Sequence, residues 1–395
     1  MTTKTFNPLS ADYQQNPYEA YKYLREQRVL FVPELNSWWV GRYEDVRGIA
    51  NQPGVFSNEK FHEISLGEFD YAPEAESLVA SDPPIHTRLR RLVNPAFRPA
   101  RLLSLAEKIK KIIDSKIDPL VTPGHTFDFQ HDFSELIPLD VIALFMNTDL
   151  SRVQDFRRWS STMLSASQRA SMTPAQHDNI RLAIRESRAY FLALIAERRK
   201  NPGDDVISDF VRAADAGDSL TDEEILSLAI LLLNGGNETT AHLLGSVMAV
   251  LWDHPEQFEI IKNNPARIPD AIDEVLRYEA PVQTVFLWTM REVEVGGVTI
   301  PKDAAVIGCW GSANRDERQF KDPDTFNIDR EKRGHMAFGF GPHFCLGNML
   351  GRQEVIASLA RVMERMPTLR RATTGPIEWL PSYWVRGPRT LMVTV

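Results

Sequence analysis

The chain has 395 residues, 43% hydrophobic and 25% charged, with a formal net charge of -8. That balance is ordinary for a globular protein with a large core, and the acidic excess argues against general nucleic-acid binding. Two cysteines cannot build a disulfide framework, which fits a reducing compartment.

The opening Met-Thr-Thr-Lys-Thr-Phe-Asn-Pro has neither a signal-peptide core nor an anchor. The longest apolar run, Ile225–Leu233, falls far short of the roughly 20 residues a spanning helix needs. The expectation is a cytoplasmic chain without a membrane segment. No Gly/Ser linker, low-complexity tract or internal repeat divides it, so residues 1–395 read as one domain.

Asn16-Pro17 opens a helix through about Gln27, with proline at the first helical position. Val29–Val32 and Trp38–Val40 flank a turn and read as a hairpin. Tyr43–Ala50 is a short helix. Residues 51–80 show no clear period and carry Phe56, Phe61, Phe69 and Tyr71, so they read as a long loop with room for one short helix. After Asp82-Pro83-Pro84 a helix carries His86, Arg90 and Arg91. His86 and Arg90 lie four apart on one face, which suits either an anionic group or plain solvent. Residues 88–111 hold eight Lys/Arg against the single acid Glu107. That is a docking surface for an acidic partner or a solvated face.

Helical patterns follow at about 134–147, 151–167, 174–200 and 204–215. Thr221 and Glu224 form a capping box that opens the longest helix, about 222–252, which spans roughly 45 Å. Its middle reads Asn234-Gly235-Gly236-Asn237-Glu238-Thr239-Thr240, poor helix interior that predicts a local kink. A helix over Pro269–Glu279 places Glu274 and Arg277 one turn apart. Val293–Ile300 is a hairpin, Val306–Trp310 a strand, and residues 313–330 an irregular meander. Pro381–Val395 alternates enough for a small sheet. Helical residues greatly outnumber strand residues.

Phe338–Gly347 reads Phe-Gly-Phe-Gly-Pro-His-Phe-Cys-Leu-Gly. Leu346, Met349, Leu350, Ala357, Ala360 and Met363 then recur at helical spacing, so a helix begins just after Cys345. A thiol near a helix N-terminus is favoured as thiolate. One thiolate in a glycine-rich loop suits axial ligation of a haem iron. The plainer reading is a small buried hydrophobe, which is how Cys309 reads.

The decade Phe-Gly-x-Gly-x-His-x-Cys-x-Gly resembles the cysteine-ligand loop of the cytochrome P450 family. Three other patterns of that family stand in its order: His86 with Arg90, Gly236-x-Glu238-Thr239, and Glu274-x-x-Arg277 followed by Phe326-Asn-Ile-Asp-Arg330. The resemblance implies a mainly α fold, a large helical domain with small sheets around one buried haem b. It implies Cys345 as iron ligand, with Phe338, Gly339, Gly347 and His343 at the haem, and His86 and Arg90 on a haem propionate. Gly236 would leave room for dioxygen, and Glu238 and Thr239 would relay protons. Glu274, Arg277 and Arg330 would form a structural network. Asn234, Gly235, Phe286, Leu287, Trp288, Tyr383 and Trp384 would line the substrate pocket, with Phe61 or Phe69 adding to an aromatic-rich wall. Leu287 falls where the family usually carries an arginine for the second propionate, which implies an unusual environment for that group.

The implied activity is a monooxygenase that inserts one oxygen atom from dioxygen into a small or medium apolar substrate, aromatic ones included. No flavin or iron–sulfur motif is visible. Electrons would therefore come from a separate ferredoxin or flavodoxin docking near 88–111, with the enzyme a monomer. Peroxide-driven oxidation, oxidative coupling and a haem-thiolate sensor without turnover are the alternatives.

Overall fold

The computed structural model describes residues 6–215, 217–331 and 334–395. Residues 1–5, which open the segment expected to lack a leader, lie outside the described residues. Helices make up most of the chain, and the strands are short. The chain divides into two compact units, Met1–Phe56 with Glu107–Ile137 and Thr239–Val395, and Ser57–Ala106 with Pro138–Glu238. The division falls inside the longest helix, Asp222–Asp253, between Glu238 and Thr239. Among the described residues no helix is long and apolar enough to cross a membrane.

The first unit is built on a sheet in which Val29–Val32, Ser37–Val40, Ala305–Cys309 and Thr284–Thr289 lie side by side in that order. Alternation of side chains gives the sheet two apolar faces. Leu287 lies opposite Val306 and packs on one face with Val40, Val46, Ile49, Trp310 and Met336. Trp39, Ile307 and Cys309 pack on the other with Tyr13, Tyr21 and Leu24, and Phe286 and Tyr383 border them. The hairpin Val293–Val295 to Val298–Ile300 turns at Gly296 and Gly297, both at positive φ (60° and 85°), which glycine alone adopts without strain.

The C-terminal stretch is less regular than its alternation suggests. Only Met392–Thr394 is a strand, paired with Arg370–Arg371 and Thr126–Asp128. Pro381 and Pro388 lack the N–H that a ladder needs, and isolated bridges such as Trp379 to Pro388 take its place.

Two polar clusters tie the first unit together. Glu274 on the helix Ile268–Tyr278 pairs side-on with Arg277 (2.8 and 2.9 Å) and accepts from Arg330 Nε at 2.9 Å and the Asn327 N–H at 3.1 Å. Arg277 spends its other donors on the carbonyls of Asn314, Pro323 and Thr325. Elsewhere Arg386 pairs with Glu279, which also accepts from the Tyr18 hydroxyl at 2.5 Å. The Arg315 guanidinium stacks over Tyr278 at 3.5 Å and Tyr18 at 4.0 Å.

The second unit contains Ile85–Val93, Val153–Leu164 and the long helix Pro174–Lys200, which opens on a Thr173/Gln176 capping box. The 51–80 loop carries a helix over Phe61–Ser65. Phe69 is buried with Ala166 and Ile180, beneath Arg181 at 5.4 Å. It is core of this unit, which removes it from the aromatic substrate wall expected above. Arg88 pairs with Asp218 at 2.7 Å and Glu224 at 2.5 Å, and Arg188 holds Glu223 at 2.8 Å.

Replacing Arg277 by Met is expected to cost about 3–5 kcal/mol of unfolding free energy, because Glu274 then stays buried without its main partner. Denaturant unfolding measures it, and a loss below about 1 kcal/mol would show that the pair holds little. Glu354, on the helix Asn348–Arg365, is buried with its Oε2 unpaired among the described residues, as is the Ser358 hydroxyl one turn on. Desolvation pushes its carboxyl well above the ordinary 4.5. The folded state therefore binds a proton that the unfolded chain releases above about pH 4.5, so Glu354 lowers stability increasingly as pH rises. Glu354→Gln is expected to raise the melting temperature more at pH 8 than at pH 5. Equal shifts at both pH values would mean that the group ionises normally.

Candidate active site

The cysteine loop is held by its own backbone and by two asparagines. Asn314 Oδ1 accepts the Met336 N–H at 2.6 Å, and Gly339 N–H returns to the Met336 carbonyl at 2.9 Å. Cys345 N–H donates to the Phe338 carbonyl at 2.9 Å, closing the loop, and Asn348 Nδ2 donates to the Cys345 carbonyl at 2.8 Å. Gly339 and Gly341 both sit at positive φ (74° and 76°). At Gly341 a Cβ would lie 2.5 Å from the Ala50 carbonyl oxygen, so any side chain there would drive the loop off the helix Tyr43–Ala50. Gly347 precedes the helix Asn348–Arg365 directly.

The aromatic members of the loop are braced by cations. Arg352 lies 4.4 Å over the Phe338 ring and Arg47 lies 4.8 Å over Phe340. Arg352 is fixed in turn by Asp273 at 3.0 Å. Burial raises the Asp273 carboxyl, but His335 and Arg352 outweigh it and hold the group below its usual range. His343 closes the short turn Gly341–His343.

Cys345 is partly exposed, whereas Cys309 is wholly buried and desolvation pushes the Cys309 thiol well up. Cys345 is thus the thiol a ligand can reach. Among the described residues no group of three or more His, Cys, Asp or Glu gathers as a metal cage would require. A metal at Cys345 must bring most of its coordination with it, as the iron of a porphyrin does. The loop therefore fits a haem.

The helix Asp222–Asp253 stays helical through Gly235 and Gly236, so the glycines do not interrupt it. Its reciprocal cap is present: Thr221 N–H to Glu224 at 2.8 Å and Glu224 N–H to Thr221 Oγ1 at 3.1 Å. Residues 224–230 and 240–251 are buried, whereas Leu231, Leu232 and 234–239 are partly or fully exposed. Gly236 has a packing reason as well, since a Cβ there would come within 2.9 Å of Ile142. Glu238 and Thr239 are neighbours on this open stretch.

His86 is buried on Ile85–Val93, and Arg90 stands one turn on. Burial first, then the Arg90 charge, hold the His86 imidazole below its usual value, with Asp82 opposing them. Part of the basic run 88–111 is committed to its own chain. Arg88 and Arg91 meet Asp218, and Arg101 meets Asp204 and Asp209. Lys108, Lys110 and Lys111 remain exposed on Ala106–Ile117.

Phe286 meets Trp384 edge-on at 5.6 Å and Tyr383 at 6.4 Å. Gln283 N–H to the Trp384 carbonyl (2.8 Å) and Arg386 N–H to the Pro281 carbonyl (2.7 Å) join these two segments. Leu287 points to the opposite face, 3% exposed within the apolar cluster, while Trp288 is partly buried. Asn314, Asn348, Arg47 and Arg352 escaped the sequence reading. Only Asn348, at the start of a helix beside the motif, carried a local signal.

A family model described as Cytochrome P450 matches residues 6–370. Cytochrome P450 107B1 of Saccharopolyspora erythraea is 35% identical over 395 residues, covering 96% of this chain and 95% of that protein. The 6-deoxyerythronolide B hydroxylase of the same organism is 32% identical over 386 residues, with 94% of each covered. The crystal structure of CYP109E1 from Bacillus megaterium in complex with corticosterone superposes with a TM-score of 0.88 at 31% identity, covering 97% of this chain and 99% of that one. The chain therefore belongs to the cytochrome P450 family, shares its mainly α fold, and is a monooxygenase that carries haem b on a cysteine thiolate.

Proposed function

We propose that this enzyme hydroxylates an apolar, ring-containing substrate, with Cys345 as the iron ligand. The observation that carries the reading is the closed backbone loop that presents Cys345, partly exposed, a few residues after two glycines of positive φ. Bound haem supplies the activation of dioxygen. The Phe338 ring, held by Arg352, and the glycines at 339 and 347 would let that group approach closely. His86 and Arg90 would donate to a haem carboxylate, and His343 would serve near the thiolate. Leu287 offers no cation where an arginine was expected, so these three would be left to hold the carboxylates.

On the open stretch of the long helix, Glu238 and Thr239 pass protons inward from water, and Gly236 leaves space beside them. Phe286, Trp288, Tyr383 and Trp384 supply an aromatic wall to the substrate, with Asn234 and Gly235 on the helix. The relatives' named substrate and ligand, 6-deoxyerythronolide B and corticosterone, support a polycyclic or macrocyclic skeleton. Electrons arrive from a ferredoxin or flavodoxin. With Arg88, Arg91 and Arg101 paired internally, the exposed Lys108, Lys110 and Lys111 are the part of the basic segment that fits an acidic donor. The enzyme acts as a cytoplasmic monomer and a single functional domain.

Cys345→Ser is expected to fold, by far-ultraviolet circular dichroism, yet to lose the reduced, CO-bound Soret band near 450 nm, the family's signature. Retention of that band would sink the assignment of Cys345. Glu238→Ala and Thr239→Ala are each expected to slow product formation by about 10²-fold while NADH consumption through a surrogate ferredoxin system continues. Undiminished coupling of NADH to product in both variants would remove them from proton delivery.

A further inference from the structure

An ion pair bears on the cysteine loop from outside the Glu274 network. Asp273 stands on the helix Ile268–Tyr278, and Arg352 on Asn348–Arg365, the helix that begins just after Cys345. Arg352 Nε and Nη2 both lie 3.0 Å from Asp273 Oδ1. The two side chains are mostly buried (28% and 26% exposed). They line an open cavity of about 190 Å³ together with His335, Phe338 and Phe344. Arg352 Nη2 is also 3.3 Å from His335 Nε2, and His335 Nδ1 accepts the Ala337 N–H at 3.3 Å. The guanidinium is stacked 4.4 Å over the Phe338 ring. The pair thus reaches the loop at residues 335–338, and the Phe338 carbonyl is the group that takes the Cys345 N–H.

Stability is a weak reason for this arrangement. A pair beside open water contributes little, and an aliphatic side chain at 352 would cover the Phe338 ring without fixing a long cation. What the pair does supply is charge of known sign. Burial raises the Asp273 carboxyl, but His335 and Arg352 bring it below its usual range, so at neutral pH the pair is one full negative and one full positive charge. Arg352 is the member stacked on the loop. Reduction of an iron held at Cys345 adds one electron, hence one negative charge, and consumes no proton. A cation beside the ligand loop makes that step easier and an anion makes it harder, and partly buried charges are only weakly screened.

We propose that Arg352 is a positioning residue that sets the reduction potential of the bound haem, with Asp273 as its counterweight. Arg352 raises the potential through its charge at Phe338, and Asp273 both holds the guanidinium on the ring and limits the rise. The inference rests on Cys345 as iron ligand and adds the groups that decide how readily the iron takes its electron from the external donor.

Spectroelectrochemical titration of the haem-loaded protein, with dithionite as reductant and ferricyanide as oxidant, tests this. Arg352→Met is expected to lower the potential and Asp273→Asn to raise it. Each changes the ferrous-to-ferric ratio at a fixed applied potential by about 3- to 10-fold, tenfold being about 59 mV for one electron. Arg352→Lys, which keeps the charge, is expected to stay close to the wild type. Opposite signs are the readout that a merely structural role does not give, because loosening the loop would move both neutralised variants the same way. Shifts of one sign, no shift, or a fall in Arg352→Lys as large as that in Arg352→Met overturn the inference. Where Arg352→Met takes up no haem, the other two variants decide: a raised potential in Asp273→Asn with Arg352→Lys unchanged supports it, and any other pattern overturns it. Failure of the Cys345 reading is distinct, because it shows as a haem-loaded wild type without the 450 nm band, whereas failure of the Arg352 inference leaves that band intact.

Discussion

One carboxylate, that of Glu274, positions the part of the first unit that matters for chemistry. It is buried, so it persists only because Arg277, Arg330 and the Asn327 N–H surround it. Arg277 reaches on to the Asn314 carbonyl, and the Asn314 side chain receives the Met336 N–H. Met336 anchors Gly339, and the Phe338 carbonyl between them takes the N–H of Cys345. The thiol is thus located by a short series of hydrogen bonds that begins at an ion pair on another helix. Each link is directional, so an error at Glu274 becomes a displacement at Cys345.

The second polar cluster does for the aromatic wall what the first does for the cysteine. Arg386 is fixed between Glu279, the Gln14 and Gln15 carbonyls and the Trp379 ring. It lies two residues beyond Trp384, and its own N–H bonds to Pro281. Tyr383 and Trp384 are therefore held against Phe286 by buried charge rather than by a regular ladder, and the sheet expected for 381–395 is not needed to hold them.

What was legible in the sequence was local. The glycines at 339 and 341 stand where the backbone takes a positive φ that glycine adopts most readily, and Glu274 with Arg277 announced a pair by their spacing. The Thr221–Glu224 cap was equally plain. What escaped depends on partners far along the chain. A count of charges over 88–111 suggested an open basic surface, because Asp204, Asp209 and Asp218, which meet three of its eight cations, lie about a hundred residues away. The weak stretch at Gly235-Gly236 does not break the helix, because long buried flanks carry it on both sides. Phe69 looked like a pocket aromatic, and only tertiary packing makes it core.

The contact between Gly341 and Ala50 carries a consequence for biosynthesis. The ligand loop's fit depends on a carbonyl laid down far earlier in the chain, at Ala50. The first unit also brings the C-terminal Val395 carbonyl to the Gly124 N–H. The hairpin and helix made early must therefore wait for these partners until the residues that supply them have left the ribosome. Contacts of such sequence separation form late and slowly. A growing chain stalled short of Cys345 therefore has early secondary structure in place and no means of holding haem.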